Sequence, residues 1–176
     1  MKIILASKSG VRKEILDKHN IENEVMVSNV DEDEIKDSLL GEGADPLSIS
    51  KNLAEIKSIK VSNKNPDRYV LGADSVISLN KKIINKPSSR EEAFNILKKL
   101  NNSKHYLISS VCISKNGAMI WNHTDSSELK MKNLSDDELS LYLNKIDTKT
   151  LLAYGVYQIE ADGLQLFEYI KGDKDS

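Results

Sequence analysis

Apolar and polar positions alternate between two periods along the chain. The run "KIILA" at 2–6 is short and continuously apolar, as in a buried strand, and "VRKEILDKHN" at 11–20 predicts a helix with Ser9 as its N-cap. "NEVMVSN" predicts a second strand that ends in the acidic run Asp31 to Glu34. The loop "GEGADP" leads into a long helix with Asp45 as N-cap and Pro46 at its first position. In that helix Ile49, Leu53, Ile56 and Lys60 fall on or near one face, and Lys57 lies one turn on from Leu53. "RYVLGADSVISL" at 68–79 is the most strand-like segment, and "LNKKII" reads as a turn into a short return strand. "SSREEAFNILKKLNN" predicts a helix opened by a capping box of Ser89 and Glu92, with Ala93, Ile96, Leu97 and Leu100 at helical spacing.

The second half is more antiparallel. "YLISSVCISKNGAMIWNH" is two β-rich runs around Asn116-Gly117, the dipeptide a type I′ hairpin turn wants. "SDDELSLYLNKI" predicts a further capped helix, Ser135 with Glu138, and "YGVYQIEADGLQLFEYI" a last extended segment around a turn at Asp162-Gly163. The alternation predicts a single α/β domain over 1–176, with a mixed twisted sheet flanked by helices.

Length and charge narrow the functions. The 176 residues suffice for one domain with a real core. With 25 basic and 27 acidic residues the net charge is −2, which offers no field for DNA or RNA, so a nucleic-acid module is excluded on charge. No run is long enough for a signal segment or a membrane span. The single cysteine, Cys112, lies in an apolar run and reads as a small buried residue in a reducing compartment, so a cytoplasmic location is expected.

The candidate chemistry gathers at strand ends. The corner "LASKSGVRKEIL" at 5–16 carries Ser7, Ser9 and Arg12 at the start of a helix, where unpaired N–H groups and the dipole favour an anion. Asp74 is read at the end of an apolar strand, where a carboxylate can hold a metal, activate water, or simply bond its own backbone in a turn. Asp31 and Glu32 are hard oxygen donors suited to Mg²⁺ or Mn²⁺, or else solvated loop or first-turn charges. Lys57 and Lys86 are either phosphate ligands or surface lysines, and His19, His105 and His123 have no metal spacing. Cations and carboxylates around one site suggest a metal–polyphosphate ligand, hence phosphoryl or nucleotidyl chemistry.

Several motifs in fixed order resemble the Maf family of nucleotide pyrophosphatases: "LASKSGVRKEIL", "VDE" at 30–32, "LAEIK" at 53–57, "GADSV" at 72–76, Lys86-Pro87, "NSKH" at 102–105, "LKMKNLSDDEL" and "YQIEADGLQLFEYIKGD". The resemblance spans essentially the whole chain. It implies an inosine-triphosphate-pyrophosphatase type of fold with a central cleft, and cleavage of nucleoside triphosphates to monophosphate and pyrophosphate with a divalent metal. By the same resemblance Asp74 is the catalytic residue, Glu32 and Asp74 hold the metal, and Ser7, Ser9, Arg12, Lys57 and Lys86 bind phosphates. Val11, Ser75 and Glu160 occupy the positions that choose the base. Glu160 only accepts hydrogen bonds, which suits the donor edge of guanine, so guanine-type or modified purine triphosphates are expected over UTP and dTTP.

Gly10 and Val11 stand where relatives commonly carry Pro and Arg, Ser75 stands for Thr or Gln, and Ala161 for Gly. The corner departures keep a rival reading open, a nucleotide-binding regulator of cell division without turnover. The chain ends at "KGDKDS" where relatives run on, so a truncated C-terminal end is expected, and a homodimer is left open.

Overall fold

The computed structural model of the protein describes residues 1–158 and 162–172. Seven strands form one mixed sheet in the order β2-β1-β3-β5-β6-β7, with β4 paired to β3. In chain order these are β1 (Ile3–Leu5), β2 (Asn23–Val25), β3 (Val70–Leu79), β4 (Lys82–Ile84), β5 (Lys104–Lys115), β6 (Ala118–Met131) and β7 (Phe167–Lys171). The described helices are α1 (Gly10–Lys18), α2 (Glu32–Gly41), α3 (Pro46–Ser62), α4 (Arg90–Leu100), α5 (Asp136–Asn144) and α6 (Thr148–Tyr154). None of them is long and apolar enough to cross a membrane. The chain divides into two compact units, one of residues 1–75 and 108–126, the other of 76–107 and 127–172.

In the first unit β1 pairs in parallel with both β2 and β3, and the pairing with β3 covers only Ile4↔Val70 and Leu5↔Leu71. After Leu5 the chain turns away into the Ser7–Ser9 corner, and Ser9 caps α1 by accepting from the Arg12 N–H, as expected. β3 continues past that point without β1, so Asp74 lies in the middle of β3 and not at its end. It nevertheless stands just beyond the carboxyl end of β1, the place where α/β sheets collect ligands.

The buried face of α3 differs from the expected one. Ile49 and Leu53 are buried, but Ile56 is half-buried and Lys60 exposed. The face is set by a four-residue stripe of small side chains, Ser50, Ala54, Ser58 and Ser62, all fully buried. Small side chains let the helix lie close to β3. A Cβ on Gly72 would fall 2.2 Å from the Ala54 carbonyl oxygen and 2.8 Å from the Ser58 nitrogen. The serines of the stripe find partners across the packing: Ser58 Oγ lies 2.7 Å from Ser114 Oγ, and Ser62 Oγ accepts from the Gly117 N–H. Cys112 is a free, buried thiol, as its apolar surroundings predict. The β5–β6 turn has positive φ at both Asn116 (52°) and Gly117 (75°), the type I′ signature expected from the dipeptide.

The second unit has the larger apolar cluster. Ala93, Ile96, Leu97 and Leu100 of α4 pack with Leu139, Tyr142 and Leu143 of α5, Leu151 of α6, and Leu129, Met131, Leu166 and Phe167. Arg90 ties the elements together by donating to the carbonyls of Leu143 in the last turn of α5 and of Ile146 just beyond it. Two expectations change here. Ser89 caps α4, but the Glu92 carboxylate accepts from the N–H and hydroxyl of Ser88, so no reciprocal box with Ser89 forms. The reciprocal box is found at Ser135 and Glu138. The segment read as a last extended run opens with the end of α6, which sequence reading missed, and includes a 3₁₀ turn over Asp162–Leu166, with Phe167–Lys171 as its strand among the described residues.

Two predictions follow from this packing. Gly72→Ala forces a methyl into helix backbone, and overpacking of that kind costs about 1–3 kcal/mol; a chemical-denaturation midpoint equal to wild type would overturn the close approach of α3. His105 is fully buried, with Nε2 2.9 Å from Tyr157 Oη, and burial lowers its pKa from 6.5 to about 4. The imidazole is thus neutral in the fold. Its contribution is complete above pH 6.5 and is lost as pH falls towards about 4, a term on the order of 3 kcal/mol. The His105→Gln variant should show a shallower loss of stability across that window, and equal slopes would mean that His105 does not carry it.

Candidate active site

Five short segments of the first unit bring ionic side chains to one point. β1 ends in the corner carrying Ser7 and Ser9, α1 brings Arg12 in its first turn, and α2 begins at Glu32. α3 places Lys57 on its buried side, one helical turn from Leu53 and Ala54, and β3 carries Asp74 and Ser75. The Lys57 ammonium donates to Asp74 Oδ1 at 2.7 Å and lies 2.9 Å from Glu32 Oε1. Lys57 and Asp74 are 4% and 5% exposed, so this is a buried ion pair with a second carboxylate at its rim.

The other Asp74 oxygen, Oδ2, is buried and has no hydrogen-bond donor among the described residues. Burial pushes the Asp74 carboxyl above the usual carboxylate range and the Glu32 charge adds to the rise, while the charge and hydrogen bond of Lys57 and the Arg12 charge pull it back. The backbone of Asp74 is pinned as well. Ser50 Oγ, fully buried on α3, donates to the Asp74 carbonyl at 3.1 Å and lies 3.3 Å from the Ile108 carbonyl.

Arg12 brackets the corner onto β3. One terminal nitrogen of its guanidinium donates to Ser7 Oγ (3.0 Å) and to the Ala73 carbonyl (2.8 Å), and the other to Ser75 Oγ (3.2 Å). Ser75 Oγ lies in turn 3.0 Å from Ser109 Oγ. Ser7 Oγ also accepts from the Ser9 N–H. Burial pulls the Arg12 pKa down while Asp74 and Glu32 hold it up, and a guanidinium stays cationic under such influences.

The sequence candidates separate accordingly. Ser7, Ser9, Arg12, Glu32, Lys57, Asp74 and Ser75 converge in the first unit, with half-buried Val11 in the first turn of α1. The acidic pair does not act as a pair: Asp31 caps α2 by accepting from the Glu34 N–H, and Glu32 alone meets Lys57. Helix capping takes one of two adjacent carboxylates because the N-cap and N1 side chains leave the helix in different directions. Lys86 is exposed, in the second unit between β4 and α4, and Glu160 and Ala161 lie outside the described residues. Sequence reading missed Ser50, Gly72 and Ser109. Gly72 had a signal, since a glycine inside a strand often marks a close backbone approach; the two serines had none.

The donor set suits a hard divalent cation. Two carboxylates already converge on one positive group, and Asp74 Oδ2 is a buried acceptor without a donor. Mg²⁺ is commonly held by one or two carboxylates with the remaining ligands from water and substrate phosphates. Among the described residues no group of three or more His, Cys, Asp or Glu could hold a metal by itself.

A family model described as "Maf-like protein" matches residues 2–176. A nucleoside triphosphate pyrophosphatase of Pelagibacter ubique is 59% identical over 174 residues, spanning 99% of this chain and 89% of that protein. A 7-methyl-GTP pyrophosphatase of Brucella abortus is 35% identical over 173 residues, spanning 98% of this chain and 87% of that protein. Among solved structures, a HAM1 protein from Coxiella burnetii superposes with a TM-score of 0.50 at 14% identity, covering 74% of this chain and 73% of that one, a likeness of fold.

The Arg12 bracket depends on shape as well as charge. Lys cannot span the Ala73 carbonyl and the two serine hydroxyls from one nitrogen. Arg12→Lys should therefore lose about 1–2 kcal/mol of stability although the charge is kept; an unchanged urea midpoint would show that charge alone matters there.

Proposed function

The chain belongs to the Maf-like protein family, and we propose that it is a nucleoside triphosphate pyrophosphatase, which adds water to a nucleoside triphosphate and releases a monophosphate and pyrophosphate. The relatives named above carry that activity in their names. The observation that carries the reading at the site is Asp74, buried, fixed at Oδ1 by Lys57 and with Oδ2 left as an acceptor.

In this reading the Asp74 carboxylate takes the proton from the attacking water as it adds in line to the α-phosphorus. Burial makes it a stronger base than a solvated carboxylate, and the charges of Lys57 and Arg12 nearby favour its ionised form. Glu32 and Asp74 would hold Mg²⁺ or Mn²⁺, which neutralises charge on the triphosphate and on the departing pyrophosphate. Arg12 and Lys57 offset the charge that builds on the phosphoryl oxygens. Ser7, Ser9 and the first turn of α1 receive phosphate oxygens, while a phosphate-binding role for Lys86 rests on the resemblance of Lys86-Pro87 alone. Val11, Ser75 and Glu160 select the base, with guanine-type or N7-methylated guanine triphosphates ahead of UTP and dTTP.

The test is one assay set. Wild-type protein with Mg²⁺ or Mn²⁺ is given 7-methyl-GTP, GTP, UTP and dTTP, and products are separated. Pyrophosphate should appear, with kcat/KM highest for the guanine compounds. Asp74→Asn keeps the size of the side chain and removes the base, so kcat should fall by about 10²–10⁴ while circular dichroism is unchanged. Orthophosphate as the product, or binding without turnover for every nucleotide, would overturn the activity. Near-normal kcat in the variant would move the base elsewhere.

A further inference from the structure

We infer that Lys57 is a stand-in cation: its ammonium takes the position between Glu32 and Asp74 that a divalent ion would need, and it must leave the carboxylates for that ion to be held there. This rests on the metal-holding role proposed for those two residues. The ammonium lies 2.7 Å from Asp74 Oδ1 and 2.9 Å from Glu32 Oε1, so it bridges one oxygen of each carboxylate. The Lys57 side chain is 5% exposed and that of Asp74 7%, so water does little to screen charges placed there. A divalent ion and an ammonium sharing the same oxygens in such a place repel strongly. Asp74 Oδ2, buried and without a donor, is the oxygen an entering ion can engage before the ammonium has moved. The lysine stem is the mobile partner of the three, because Asp74 is fixed in a strand and pinned through Ser50, whereas four methylene bonds carry the Lys57 ammonium.

The arrangement has a consequence for binding. Without the ammonium the buried Asp74 carboxylate and the Glu32 carboxylate, whose side chain is 40% exposed, would face one another, a condition that favours capture of a stray divalent ion. Lys57 weakens that capture. Once displaced it needs another anion, and the phosphates of the nucleotide supply one. Metal and triphosphate therefore favour each other's binding through Lys57, and by linkage the effect is mutual.

The experiment measures Mn²⁺ binding in the absence of nucleotide, at fixed pH, by the electron spin resonance signal of free Mn²⁺. It uses wild type, Lys57→Met and Asp74→Asn, each checked for folding by circular dichroism. The inference expects Lys57→Met to bind Mn²⁺ at least tenfold more tightly than wild type, and Asp74→Asn to bind more weakly than wild type or not at all. Binding by Lys57→Met that is no tighter than wild type, with Asp74→Asn impaired, overturns the stand-in role and leaves the metal site where it is proposed. Mn²⁺ affinity that neither substitution alters, or no titration by any of the three, overturns the metal site itself. Should Lys57→Met not fold, the wild type still decides. The Lys57 side-chain Nζ–H signal, assigned by its loss in Lys57→Arg, should move or vanish on saturation with Mg²⁺, and an unmoved signal overturns the inference.

Discussion

The pairing of the Lys57 ammonium with the Asp74 carboxylate inside the first unit sets the terms for everything around it. Removing either charge from water costs several kcal/mol, and their attraction offsets this only at hydrogen-bond distance. Until another cation takes its place the 2.7 Å contact has to be held, and holding it means fixing the height of α3 over β3. Gly72 admits the Ala54 carbonyl where any side chain would push the helix away. Ser50, Ala54, Ser58 and Ser62 thin the helix face by the same logic, and Ser50 adds a hydrogen bond to the backbone of Asp74 itself. A helix packed by leucine and isoleucine against a valine-rich strand would stand farther off, and Lys57 would reach out to solvent instead.

Stability alone would not preserve such a cluster. Well-packed apolar residues of similar volume often replace a buried ion pair with no loss. What the apolar replacement cannot give is a set of charges gathered in a place with little water, where each acts more strongly than it would in solvent. Arg12 extends the same device outward. Its hydrogen bonds to Ser7, the Ala73 carbonyl and Ser75 lock the corner of β1 to β3, so the start of α1 is fixed relative to Asp74. The corner that carries Ser7 and Ser9 and the strand that carries Asp74 are then parts of one assembly.

Much of this was legible in the sequence because local chemistry dictated it. The caps at Ser9, Asp45 and Ser135 and the Asn116-Gly117 turn need only their own neighbours to form, and they did. Motif order brought Ser7, Arg12, Glu32, Lys57 and Asp74 to one site although they are up to 67 positions apart. The misreadings are of another kind. The face of α3 was assigned by hydrophobicity, but contact with a sheet backbone selects for smallness, so serine outranked isoleucine. Asp74 was placed at a strand end, but strand ends are set by the partner, and it was β1 that stopped. Helix α6 escaped notice because its seven residues are too few to show a period.

The charges of the cluster also say in what form the ligand arrives. Arg12 and Lys57 are two cations, Glu32 and Asp74 two anions, so the four sum to zero, in a chain whose own net charge is −2. A site that is neutral in a protein that is slightly acidic has no pull on a bare triphosphate at a distance. A triphosphate that brings a divalent ion changes both sides of the balance. Under the proposed function the ion would give Glu32 and Asp74 a new partner and set the Lys57 ammonium free to join Arg12 in facing the phosphates. Binding of the metal–nucleotide complex would then create the positive surface that holds it. Neither component alone does so, since the ion alone must compete with Lys57 and the nucleotide alone meets cations already paired. On this view the buried pair is what makes the site selective for the two arriving together.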